Sequence, residues 1–170
     1  MQRRRAIALV ASAPWALAGC TPVVPQGFAT LAEARRTVGT LTAGGWRSSG
    51  AWSLAQTLNH LAQSVEYSMA GFPAPKSALF QATVGRAAFT LFDARGRMSH
   101  SLSEPIPGAP ALVDDFDPAQ ERLLASLTSF EAHGGPIEPH FAYGKLDKVQ
   151  ATRAHLMHIA NHWTELHKQN

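Results

Sequence analysis

Asp147 to Asn170 reads DKVQATRAHLMHIANHWTELHKQN, and its pattern decides the fold class. Leu146, Val149, Leu156, Ile159, Trp163 and Leu166 recur at steps of three, four or seven, the apolar stripe of a helix packed on a core. Asp147 followed three residues later by Gln150 reads as a capping box, which satisfies orphan N–H groups of the first turn. Beside the apolar stripe runs a second one of His155, His158 and His162. Residues three and four apart on a helix stand one above the other, so these imidazoles share a face. Two neutral imidazoles one turn apart are half of a metal site. The alternative is a solvated histidine face.

The chain opens differently. Arg3, Arg4 and Arg5 precede the apolar run Ala6 to Ala18, which ends in Leu17-Ala18-Gly19-Cys20. A charged start, a short apolar run and a small-residue cleavage site make an export signal over residues 1–19, too short to span a membrane. The Leu-Ala-Gly-Cys ending resembles a bacterial lipobox, so Cys20 is expected to be lipidated and to begin the mature chain. Residues 20–27 would then be a Pro-containing tether and residues 28–170 one domain. The expected location is exported, lipid-anchored to a membrane at the periplasmic or outer face. Cys20 is the only cysteine of the chain, so no internal disulfide is available. Lys and Arg number 15 against 12 Asp and Glu. Three of those arginines lie in the signal, and the remainder is balanced. No basic cluster suits a phosphate backbone, which excludes nucleic acid as the expected partner.

Within the domain, Phe28 to Leu41 predicts a first helix with Phe28, Leu31, Val38 and Leu41 inward. Trp46 to Gly50 reads as a loop. Ala51 to Ala70 predicts a second helix with Leu54, Leu58, Leu61, Val65 and Met69 on its core stripe. His60 stands on its flank with Gln56, Gln63 and Tyr67. Ser77 to Asp93 predicts a third, with Phe80, Val84, Ala87 and Leu91 as its apolar positions. Pro105, Pro107, Gly108 and Pro110 make Arg97 to Phe116 a surface loop able to cover the mouth of a site. Asp117-Pro118-Ala119-Gln120 reads as a helix start, with cap, proline and glutamine in order, and Leu123, Leu127 and Phe130 follow inward. No period-two strand stands out, so the expected architecture is all-α.

A closed structural zinc site commonly uses cysteines, and the domain holds none. Histidines with open positions for water or substrate are the alternative, and His60 is the best-placed third ligand because it sits inside a helix pattern. His158-Ile159-Ala160-Asn161-His162 has zincin spacing, yet Ile159 stands where that motif places its glutamate. No nucleophile elbow, Walker loop or dinucleotide fingerprint is present.

Three segments carry a resemblance. They are Trp52-Ser53 leading into Leu58-Asn59-His60-Leu61, Pro139-His140-Phe141-Ala142-Tyr143-Gly144-Lys145-Leu146, and His158-Ile159-Ala160-Asn161-His162. Together they resemble the DinB/YfiT-like metalloenzyme superfamily, within it a branch described only as a domain of unknown function. The resemblance runs from about Phe28 onward. It implies a DinB-like four-helix bundle, here with an additional short helix and a long Pro/Gly-rich loop. It also implies a divalent ion on His60, His158 and His162. His140, Tyr67 and Asn161 would line the pocket or support the ligands, and His140 could equally just order its loop. That branch has a histidine where this chain has Asn161. His155 has no counterpart, and His100, His133 and His167 read as loop or end residues without a role.

Relatives in the wider superfamily transfer or isomerise with thiol cofactors in the cytosol, which an exported chain departs from. What carries over is metal-activated water or Lewis-acid chemistry, of hydrolase or transferase type, on a small molecule. Imidazole suits zinc or nickel. Occupancy is expected to fall below the ordinary histidine pKa, near 6.5. The alternative is a non-enzymatic, lipid-anchored module that binds a small ligand or protein. The sequence leaves the oligomeric state open, a dimer included.

Overall fold

Ser53 accepts from the backbone N–H of Gln56 while the Gln56 side chain accepts from the Ser53 N–H, and this reciprocal cap starts α2, the most buried helix among the described residues. The computed structural model describes residues 27–169; the expected signal, Cys20 and most of the expected tether lie outside the described residues. In chain order the elements are α1 (Leu31–Val38), β1 (Trp46–Ser48), α2 (Leu54–Ala70), α3, α4 (Phe116–Ala132), α5 (Lys148–Trp163) and β2 (Leu166–Lys168). The helix α3 is continuous through Ala78–Phe80, Gln81–Gly85 and Arg86–Arg95, and its middle segment is π-wound. The described residues are therefore mostly helical, with five helices and a small two-stranded sheet. No helix among the described residues is long and apolar enough to cross a membrane.

The core forms largely where the helix periodicity places it. Phe28, Leu31, Val38 and Leu41 are buried, as are Leu54, Leu58, Leu61 and Val65 of α2 and Leu123, Leu127 and Phe130 of α4. The most extensive packing is α2 on α4; α1 lies against α4 and α5, and α5 lies against α2 and α3. Arg122 of α4 holds Glu66 of α2 with two hydrogen bonds, at 2.9 and 2.6 Å, and donates a third to Asn59 Oδ1. A planar guanidinium on a carboxylate fixes the angle between two helices as well as their spacing.

Five expectations are corrected. The terminal helix stops at Trp163, and Leu166–Lys168 pairs antiparallel with Trp46–Ser48, so neither an unbroken helix to Leu166 nor a loop at Trp46 is found. The Thr164 and Glu165 N–H groups bond three residues back, to Asn161 O and His162 O, which tightens the last turn and ends the helix without glycine or proline. Val149 is 68 % exposed despite its place in the stripe, because it belongs to the first turn, beyond the edge of the core.

In α3 the π turn adds a residue to the repeat and rotates the apolar stripe. Val84 is 59 % exposed and Leu91 is also exposed, while Gly85 and Phe89 face inward. Finally, α4 starts at Phe116 after Asp115, whose side chain makes no capping bond. Gln120 does not close a capping box; its amide donates to Val38 O and Leu41 O and so ties down the end of α1.

Candidate metal centre

The site is a ladder between two antiparallel helices. On α2, His60, Ser64 and Ser68 fall at successive four-residue steps and line one face. On α5, His155, His158 and His162 face them. His155 Nε2 lies 3.0 Å from Ser68 Oγ, His158 Nδ1 lies 3.2 Å from Ser64 Oγ, and His158 Nε2 lies 3.2 Å from His60 Nε2. The histidine face of α5 is therefore not solvated. Ser68 gives its one proton to Val65 O at 2.6 Å, so it accepts from His155, whose Nε2 carries the hydrogen.

At the His60 end the ladder is open in chemical terms. One nitrogen from each of His60, His158 and His162 lies within 4.8 Å of the other two, a group that could hold a metal ion. His162 is 1 % exposed and His60 4 %. Neither nitrogen of His162 has a hydrogen-bond partner, nor has His60 Nδ1. A buried polar atom left without a partner costs about 1–3 kcal/mol, and each such atom in a folded protein asks for an explanation. A cation at the point of convergence would take up a His162 nitrogen. It would also replace a 3.2 Å contact between His60 and His158 in which only one nitrogen can carry a proton. Two nitrogens on a tetrahedral zinc at 2.0–2.1 Å stand about 3.4 Å apart, close to that separation. With Nε2 as ligand, His158 Nδ1–H donates to Ser64 Oγ, the usual outer support of a metal-bound imidazole.

The electrostatics favour the ligand form of these rings. Burial, then the charges of His60 and His100, push His162 down to about 2. Burial, then His100, pushes His60 down to about 4. Burial first and the neighbouring histidines next hold His158 well below its ordinary value. Neutral imidazole is the binding form. Protons therefore do not compete near pH 6.5, the value expected from unperturbed histidines, but only in more acidic solution.

Two further rings complete the surroundings. Trp52, the residue before the α2 cap, lies parallel to His162 at 5.9 Å between centroids and 4.8 Å from His60. His100, read from sequence as a loop residue without a role, stands 4.9 Å from His158 and 5.4 Å from His162. Its Nδ1 is 2.8 Å from the Asn161 amide. Ser64 and Ser68 were legible as the i+4 and i+8 neighbours of His60. Trp52 stood in a segment that carried the resemblance but with no role attached, and His100 carried no signal, because a loop and a pre-helix residue reach the site through tertiary packing alone.

A cavity of about 260 Å³ opens from His60 and His158 and runs past Ser68 and His155 toward His140 and Tyr143. The 97–116 segment forms one wall, through Met98, Pro105, Ile106 and Pro107. His140 lines the far end, stacked on Tyr143 at 4.2 Å. Its Nδ1 accepts from the N–H groups of Ala142 and Tyr143, so its Nε2 carries the proton. Burial, then His155 and His100, push His140 down to about 3, and burial raises Tyr143 to about 12. His140 thus both orders its loop and faces the cavity. Tyr67 is placed elsewhere: it packs on Phe72 and does not line the cavity. His133 bonds Pro136 O and His167 bonds Ser49, both away from the site.

No curated protein and no solved structure matches the chain. Residues 26–169 match the family model described as a protein of unknown function (DUF1569), and the chain belongs to that family.

Proposed function

We propose that the chain is an exported protein, lipid-anchored through Cys20, whose helices form a DinB/YfiT-like bundle around one divalent ion on His60, His158 and His162. In this reading it is a metal-dependent enzyme of hydrolase or transferase type acting on a small molecule in the adjoining cavity. The observation that carries it is His162: a ring 1 % exposed with both nitrogens unpartnered, beside two more imidazoles turned to the same point. Zinc or nickel suits an all-imidazole set.

When bound, such an ion supplies a water of lowered pKa or polarises a substrate oxygen. The protein's own part is positional. Ser64 orients His158, Trp52 covers His162 and His60, and the apolar wall of Met98, Ile106 and Leu146 accepts the body of a substrate while excluding water. His140 Nε2–H offers a donor at the far end, some distance from the reacting group. The second reading is a lipid-anchored binding module, favoured by the absence, among the described residues, of a carboxylate hydrogen-bonded to these histidines.

Metal analysis of purified protein tests the site. Wild type is expected to hold about one equivalent, and His60→Ala, His158→Ala and His162→Ala to lose it, while His155→Ala, occupied by Ser68, keeps it. Wild type that neither holds metal nor gains any on titration with zinc or nickel would hand the cavity to the binding-module reading.

A further inference from the structure

We propose that His100 is a fourth, exchangeable ligand of the metal centre, carried to it by the segment between α3 and α4 and held there by Asn161. This rests on the three-histidine reading above and extends it to a residue outside both helices of the ladder.

Ring geometry makes the first argument. The centroids of His60, His158 and His162 lie 4.9–5.1 Å from one another. His100 stands 4.9 Å from His158 and 5.4 Å from His162, edge-on to both. His100 therefore adjoins two of the three rings at nearly the spacing those three keep among themselves. The His100 nitrogens are not part of the tight group of three, so ligation requires this ring to move inward, a displacement open to a residue carried on a loop.

The second argument is Asn161. Its amide lies 2.8 Å from His100 Nδ1. An amide can present either its oxygen or its nitrogen by rotating half a turn, and the hydrogen-bond network decides which. With the oxygen toward the ring, Asn161 accepts Nδ1–H and leaves Nε2 bare, the tautomer that a metal requires. Asn161 precedes His162 on α5, so the tether is built into the helix that supplies two ligands. The remaining histidines of the described residues are engaged elsewhere: His133 with Pro136 O, His140 with its own loop, His155 with Ser68 and His167 with Ser49.

The placement has a consequence for access. Residues Ser101, Glu104, Pro105 and Ile106 follow His100 along the wall of the cavity. A molecule that fills the cavity presses on the segment that carries the fourth ligand, and withdrawal of His100 opens a coordination position. A site closed at rest and open when loaded limits adventitious chemistry at the ion.

The test uses the full chain, with zinc affinity from competition against a chelator and azide titrated into the cobalt(II)-substituted protein. His100→Ala is expected to weaken zinc by at least roughly tenfold, the lower range for losing even an outer support of a ligand. Asn161→Ala should weaken it less, and His133→Ala not at all. Azide should perturb the cobalt spectrum of His100→Ala at concentrations that leave wild type unchanged. Far-UV circular dichroism checks that each variant is folded, which the exposed position of His100 favours. Equal zinc affinity in wild type and His100→Ala, or one azide response in both, overturns the fourth ligand while leaving the three-histidine site standing. A wild type that binds no zinc overturns both.

Discussion

Gly85→Ala sets two effects of opposite sign against each other. Gly85 lies in α3 with φ −62° and ψ −46°, ordinary helical values that alanine adopts freely. Helix propensity alone therefore favours alanine, by about 1 kcal/mol. Space opposes it. A Cβ at this position would stand 1.8 Å from the carbonyl oxygen of Ala142 and 2.9 Å from its carbon, where real Cβ contacts do not fall below 3.0 Å.

The obstacle is backbone, and it is fixed from several sides. Ala142 N donates to His140 Nδ1, Phe141 O accepts from Lys76 N and from Gln81 Nε2, and His140 and Gly144 exchange backbone bonds at 2.9 and 3.0 Å. Opening the gap by more than an ångström has to break some of these or shift α3. Overpacking of this kind costs about 1–3 kcal/mol, and lost loop bonds add about 1 kcal/mol each. The clash wins, with a net loss of about 1–3 kcal/mol. At a urea slope of about 1–3 kcal/mol per molar, the unfolding midpoint falls by roughly 1 M. Gly44→Ala, whose Cβ would meet nothing within 4 Å, is the control and should leave the midpoint in place. A midpoint for Gly85→Ala equal to or above wild type would refute the reasoning and show that the 140–144 turn gives way freely.

Acid should unfold the metal-free protein early. His60 and His155 are pushed down to about 4, His140 to about 3 and His162 to about 2, in each case first by burial. Each stays neutral in the fold while the unfolded chain protonates near 6.5, so its stability is full above pH 6.5 and is lost as pH falls toward the folded value. The four together remove up to roughly 5 kcal/mol per pH unit, and circular dichroism on chelator-treated protein should show unfolding between pH 4 and 6.5; a native spectrum at pH 4 would contradict the burial argument. Cys20→Ala should move the protein from the membrane fraction to soluble or uncleaved material, and unchanged membrane association would remove the lipid anchor from the proposal.

Local order was open to reading in the sequence because its causes are local. The Asp147–Gln150 cap forms as the spacing predicts, and His155, His158 and His162 share a face because 3.6 residues make a turn. The same arithmetic buried Leu58 and Leu61, Leu123 and Leu127. It failed where the repeat itself changes: the π turn at Gln81–Gly85 rotates the stripe, and nothing in the order of residues announces an extra residue in the turn.

Tertiary structure alone decided what lies opposite those faces. Whether the histidine stripe meets water or Ser64, Ser68 and His60 depends on how α5 packs on α2. His100, more than 50 residues from the ligands of α5, reaches them only through the path of a Pro-rich loop. Trp46 and Leu166 become strand residues because the two ends of the domain meet. Periodicity states which side chains stand together on one element. The partner of that face is set by packing across the whole chain, where no short stretch of sequence carries the information.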